Sequence, residues 1–149
     1  MLITQKCRYA LRAILELAKR EGQGLVKTAD IAKAQAVPPR FLEVILGQLK
    51  QGGFVTSRRG ASGGYMLARP VSDLTVGEVI RFLQGGIGPL HCFGVEDKSD
   101  CPLDGDCIFL DLWEKAAEAM GRVFDGTTFA DLVKRDRQKR GEYVVSYSI

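Results

Sequence analysis

At 149 residues, 46% hydrophobic and 26% charged, the chain has the length and composition of one well-buried domain with an appendage. No apolar run approaches the ~20 residues that a bilayer-spanning helix needs. The first helical segment is interrupted too often by Lys and Arg to serve as the core of an export signal, so no membrane partner is expected and the cytoplasm is the expected compartment. The formal charge of +3 hides a division at Pro70: residues 1–70 carry 12 Lys and Arg against 4 Asp and Glu, a net +8, and residues 71–149 carry 9 against 14, a net −5. A positive first half suits a phosphate backbone, and a negative second half belongs on the far side of the molecule.

In chain order, Thr4 is placed to cap a helix running to about Arg20, with Ala10, Leu11, Ile14, Leu17 and Ala18 along one face and Gly22 and Gly24 ending it. A short helix follows over residues 28–34, with Thr28 as its expected N-cap, and then a turn through Gln35 to Val37. Pro38 and Pro39 fit the first turn of a third helix, where a missing N–H is harmless. Phe41, Leu42, Ile45, Leu46 and Leu49 give that helix an expected buried face, and Gly52 and Gly53 stop it. Two short helices joined by a tight turn form a helix-turn-helix, whose second member enters a major groove by its N-terminal end.

Residues 54–57 and 65–68 read as two short strands joined by a glycine-rich tip, Arg58-Arg59-Gly60-Ala61-Ser62-Gly63-Gly64. Such a hairpin makes a wing, and an arginine on its tip suits a narrow minor groove, where negative potential is greatest. The tip lacks the Gly-Lys-Ser or Gly-Lys-Thr ending of a nucleotide-binding P-loop. The candidate DNA contacts are therefore Thr28, Pro39, Arg40 and Glu43 in the helices and Arg58, Arg59 and Gly60 on the wing. Arg can donate to guanine O6 and N7, and Glu can accept from cytosine N4. A solvent-exposed role is the plainer reading of Glu43.

Thr75 and Glu78 form a capping box, and Leu74 with Val79 a hydrophobic staple, for a helix reaching Leu83 or Gln84. After a Gly- and Pro-containing release at residues 85–89 comes a polar segment holding Cys92, Cys101 and Cys107. A long helix then spans about Ile108 to Phe124. Its apolar residues Phe109, Leu112, Ala116, Ala119 and Val123 recur in steps of three and four, and Trp113, Met120 and Phe124 widen the face. So wide a seam implies a second copy of the chain, the alternative being packing against the first helix. A short helix over residues 128–133 closes the domain, and residues 134–149 read as a basic, mobile tail.

The three cysteines have eight and five intervening residues. The segment between Glu96 and Cys107 is too polar for core, which argues against inert buried thiols. A disulfide would leave one thiol over. Neighbouring carboxylates disfavour a metal-free reactive thiolate, whereas a bound metal deprotonates its thiols outright. Zinc sites usually bring ligands in closer Cys pairs. Three soft thiolates on a flexible loop point instead to an iron–sulfur cluster, with zinc, disulfide and inert thiols as the alternatives. Cys7, near the start of the first helix, is a candidate fourth ligand or else a small packed residue. His91, the single histidine, adjoins Cys92 and can bind metal or hydrogen-bond. Asp100, Asp104, Asp106 and Asp111 mimic a calcium loop in part, but Pro102 stands at a ligand position and the terminal Glu is missing. A thiol enzyme or metal carrier, thiol- or zinc-dependent, is the alternative function, and His91 is its sole candidate general base.

Tyr9-Ala10-Leu11-Arg12, Ile31-Ala32, Phe41-Leu42-Glu43, Gly63-Gly64-Tyr65-Met66-Leu67 and Thr75-Val76-Gly77-Glu78-Val79, in that order, resemble the Rrf2 family of winged-helix regulators. The cysteines place the chain nearer the cluster-bearing IscR, NsrR and RirA types. The resemblance covers residues 1 to about 133. It implies a mainly α fold: a winged helix-turn-helix with a two-stranded wing over residues 1–70, a linker helix over 71–91, a cluster loop over 92–107, and a long dimerisation helix with its closing helix over 108–133. It also implies a homodimer that binds a double-stranded operator according to the state of a [2Fe-2S] or [4Fe-4S] cluster, with the contact of Glu43 depending on that cluster. Two departures stand out. The histidine that IscR-type members carry three residues past the last cysteine is Leu110 here, and the acidic residue that NsrR-type members use near the first helix's start matches Arg8. The fourth ligand then comes from elsewhere, or is water or a small thiol.

Overall fold

In a computed structural model, residues 3–88, 101–103 and 105–146 are described, residues 142–146 as backbone only. Helix α1, Gln5–Lys19, is the frame. Thr4 caps it, its hydroxyl accepting from the Cys7 N–H at 3.2 Å. Ala10, Ala13, Ile14, Leu17 and Ala18 are buried, and α1 packs on the second, third, fourth and sixth helices. Glu16 is buried on this helix and was not foreseen from the apolar spacing. Its carboxylate accepts from Gln35 Nε2 at 2.8 Å and from Arg20 Nε at 2.8 Å, with Lys19 3.5 Å away.

Helix α2, Thr28–Gln35, and helix α3, Pro39–Gln51, are joined through Ala36, which sits in the left-handed region at φ 49°, and through the buried Val37. The expected cap of α2 is corrected: Lys27 stands at the N-cap with no side-chain bond, and Thr28 is the first helical residue. Pro39 opens α3 as expected. Leu42, Ile45, Leu46 and Leu49 are buried, but Phe41 is 63% exposed and leaves the expected core face. A residue one step before Leu42 lies ~100° around a helix from it, so the spacing set a wider stripe than the neighbours fill.

Strands β1, Val55–Arg58, and β2, Gly64–Leu67, pair antiparallel with Val55 opposite Leu67 and Arg58 opposite Gly64. They start one residue away from the expected ends. Val26 adds an isolated bridge to Tyr65, with both hydrogen bonds at 2.8 Å, so the segment leading into α2 lies against the wing. Gly64 permits that approach, because a Cβ there would meet the Val26 carbonyl.

After a 3-10 turn at Val71–Asp73, helix α4, Val76–Gln84, carries the complete capping box of Thr75 and Glu78, and Leu74 and Val79 are both fully buried. Helix α5, Leu110–Asp125, packs on α4, where Arg81 grips Asp125 with two bonds of 2.5 and 2.7 Å. Met120 and Phe124 pack partly against the core, while Phe109, Leu112 and Val123 stay exposed. The expected seam is thus divided between a face spent on this chain and a face left open, and the intramolecular neighbour is α4 rather than α1. Helix α6, Phe129–Ser146, corrects the expected tail: it runs thirteen residues past Val133, folds back on α1, and sets Asp136 3.5 Å from Lys19. Thr128 and Asp131 cap its start reciprocally, at 3.0 and 3.1 Å. No helix among the described residues is long and apolar enough to cross a membrane.

Burial pushes the Glu16 carboxyl up, but its bonds from Gln35 and Arg20 and the charges of Lys19 and Arg20 more than offset this and hold it below the ordinary 4.5. The N–H of Thr75 leads the causes that hold Glu78 low, and Arg81 does so for Asp125. A carboxylate depressed by folding contributes stability that is complete above its unfolded pKa and is lost as pH falls through its folded one. The melting temperature should therefore drop as pH falls below about 4.5, and the gap between wild type and Glu16→Gln, measured by thermal melts, should close over the same range.

Candidate nucleic-acid interface and cysteine segment

The start of α2, the C-terminal part of α3 and the wing enclose an open groove of about 560 Å³. Lys27, Lys50, Arg58 and Arg59 line it, with Thr28 and Gly47, and no acidic residue among the described residues does. Lys50 Nζ is held at 2.8 Å by Ser57 Oγ, which stations one cation between helix and wing. Arg58, Arg59 and Gly60 are exposed, and Gly60 takes φ 107°, turning the tip. Gly47 leaves the groove wall bare: a Cβ there would meet nothing within 4 Å, so the fold itself does not demand glycine.

Along the outward side of α3 lie Pro39, Arg40, Phe41, Glu43 and Val44, all exposed. The structure thus gathers Thr28, Arg58, Arg59 and Gly60 at one groove and sets Pro39, Arg40 and Glu43 on the helix beside it. Sequence spacing missed Lys27 and Lys50. The signal lay in the charge count of the first half, which does not say which lysines converge.

A wall of four cations beside an uncapped helix start is suited to polyanion backbone. Each phosphate displaced onto it releases counterions, and the first N–H groups of a helix lack intrahelical partners.

Of the candidate metal ligands, Cys101 is exposed and Cys107 partly buried, both as free thiols ahead of α5. A turn joins them to that helix: Asp106 N–H donates to the Leu103 carbonyl and Leu110 N–H to the Cys107 carbonyl, each at 3.0 Å. Cys92 and His91 lie outside the described residues, as do Asp100 and Asp104. Cys7 takes the place of a packed residue. It is fully buried in α1, in the core, and burial pushes its thiol up to about 11.

A sequence profile of the family described as "Rrf2: Iron-dependent Transcriptional regulator" matches residues 3–135. Protein rrf2 of Nitratidesulfovibrio vulgaris is 34% identical over 134 residues, which cover 90% of this chain and 88% of that one. The solved structure of CymR, the global cysteine regulator of B. subtilis, matches with a TM-score of 0.73 at 34% identity, covering 91% of this chain and 98% of that chain. IscR of T. potens matches with a TM-score of 0.71 at 32% identity, covering 91% and 88%.

Because only thiolate reacts and only exposed sulfur is reached, a thiol reagent applied to the native, metal-free protein should label Cys101 faster than Cys107, and Cys7 not at all until denaturant is added. Peptide-level mass spectrometry checks the order, and native-state labelling of Cys7 would contradict its packed position.

Proposed function

Since the chain belongs to the Rrf2 family of transcriptional regulators, we propose that it acts as a homodimer on a double-stranded operator and that an iron–sulfur cluster held by Cys92, Cys101 and Cys107 sets how tightly it binds. Family membership makes the chain a regulator and not the thiol enzyme or metal carrier weighed as the alternative. In this reading the N-terminal end of α3 enters the major groove, with Pro39, Arg40 and Glu43 toward base edges. Thr28 at the start of α2 and Arg58, Arg59 and Gly60 of the wing hold the backbone and the adjoining minor groove. Lys27 and Lys50 add to the phosphate attraction.

The observation that carries the cluster is the position of Cys101 and Cys107. Their thiols stand outside the core, ahead of α5, on a segment whose turn is bonded to that helix. Free thiols in such a position fit the donor set of a cluster, whereas the buried Cys7 does not. When bound, the cluster supplies a centre that oxidants and small ligands can alter. What the chain's residues do is pass its presence to α5, whose exposed Phe109, Leu112 and Val123 present an apolar face to a second copy. Two recognition helices must stand about one helical turn apart, ~34–36 Å, so a small rotation at that face changes operator affinity. Similarity alone does not choose between the CymR and IscR types, which match almost equally well. The trio of cysteines supports the cluster-bearing reading.

Oxygen-free protein should be coloured, contain iron and sulfide, and lose both in Cys107→Ala. Colourless protein unable to take up iron and sulfide on reconstitution would remove the cluster from the reading. Arg59→Ala should weaken operator binding by ~1–3 kcal/mol, with log K falling steeply as log salt rises, by anisotropy titration. A flat salt response would count against the DNA face.

A further inference from the structure

Helix α3 carries exposed apolar surface that the fold does not use. Leu42, Ile45, Leu46 and Leu49 fill the core, yet Phe41 is 63% and Val44 62% exposed. A three-residue step sets the two side by side on one face, on the side of Arg40 away from Glu43. The ring contacts of the described residues join Phe54 to Phe82 and Phe109 to Trp113; Phe41 takes part in neither. The groove lined by Lys27, Lys50, Arg58 and Arg59 takes in the C-terminal part of the same helix, Gly47 and Lys50, while Phe41 and Val44 lie on its first half. With a net +8 over residues 1–70, a negatively charged partner suits this half of the chain, and Phe41 and Val44 offer it an apolar spot beside Arg40.

Duplex DNA has that combination. On the major-groove edge of the base pairs, the C5-methyl of thymine is the apolar group, and it is flanked by the phosphates of its own strand. We infer that Phe41 and Val44 are thymine readers: their side chains cover C5-methyl groups in the operator, and fix A·T pairs at those positions while Arg40 and Glu43 serve neighbouring pairs. The inference rests on the proposed role of α3 as the recognition helix and adds to it the base that its apolar residues select. A protein partner or a second copy of the chain is the competing cover, and the oligomeric state of the variant tests it.

The test uses the full-length protein, purified without oxygen, and a duplex that it selects from a random-sequence pool. Each thymine of that duplex is then replaced by deoxyuridine, which removes the methyl group and keeps every hydrogen-bonding atom. At one or more positions the wild type should lose about fourfold in affinity, the value of one buried methyl-sized group. The same replacement should cost the Phe41→Ala/Val44→Ala variant nothing. Because both residues are exposed, that variant should melt like wild type.

Uracil without effect at every position of a tightly bound duplex would overturn the inference and leave the regulator reading standing. So would an equal loss in wild type and variant, which would assign the methyl effect to other residues or to DNA shape. A variant that changes its oligomeric state in light scattering while keeping the uracil effect would assign the pair to a protein contact and overturn it as well. If the pool yields no enriched sequence at all, the operator-binding reading fails first, and the inference with it.

Discussion

Two hydrogen bonds of 2.8 Å between Val26 and Tyr65 decide where the cationic face of this protein stands. One partner leads into α2 and the other lies in β2, so the bridge makes the wing and the start of the helix-turn-helix a single body. A two-stranded hairpin on its own is marginal in water. Here it gains a third backbone neighbour, and the close approach is possible because Gly64 has no Cβ to strike the Val26 carbonyl. Lys27 follows Val26 directly, and Arg58 faces Gly64 across the hairpin. The register of the bridge thereby brings charges from separate parts of the chain to one groove.

The other end of α2 is held by a different kind of contact. Gln35 gives its side-chain amide to the buried Glu16, and its carbonyl accepts from Arg12, so two residues of α1 hold the turn before α3. A buried carboxylate is costly unless its lone pairs are satisfied. Glu16 meets that requirement with bonds from Gln35 and Arg20 and with Lys19 nearby, and removing Gln35 would leave one carboxylate oxygen without its hydrogen bond. The angle of α3 against α1 thus rests on apolar packing for its energy and on one polar knot for its register.

Local signals were legible in the sequence, and signals that depend on what lies opposite were not. The Thr75 and Glu78 box, the Thr4 cap, the wing strands and the proline start of α3 all express chemistry within a few residues, and each stands within a residue or so of its expected place. Phe41 was assigned to the core because apolar spacing cannot tell a wide buried stripe from a narrow one beside a binding face. Cys7 was open between ligand and packed residue because helix position says nothing about which wall of the core it meets. The length of α6 escaped because its basic residues suggest solvent, while Phe129 and Val133 bury at its start and Asp136 reaches Lys19. The convergence of Lys27 and Lys50 on the wing is a product of strand pairing.

Helix α4 bears on how a group bound near the cysteines would reach the DNA face. It packs on α1 and on α5, Glu78 meets Arg69 beyond the wing at 3.2 Å, and Arg81 grips Asp125. Half-exposed ion pairs of this kind are worth ~0–1 kcal/mol each, so they set orientation and the packing of α4 supplies the hold. With α4 capped at its start and packed on both sides, bending inside one protomer would have to break buried contacts. In the proposed dimer, a rotation of the exposed α5 face against its counterpart would break none of them. Of the two routes, repositioning whole protomers would therefore be the cheaper for the proposed dimer, and it would demand only that the segment bearing Cys101 and Cys107 change how α5 begins.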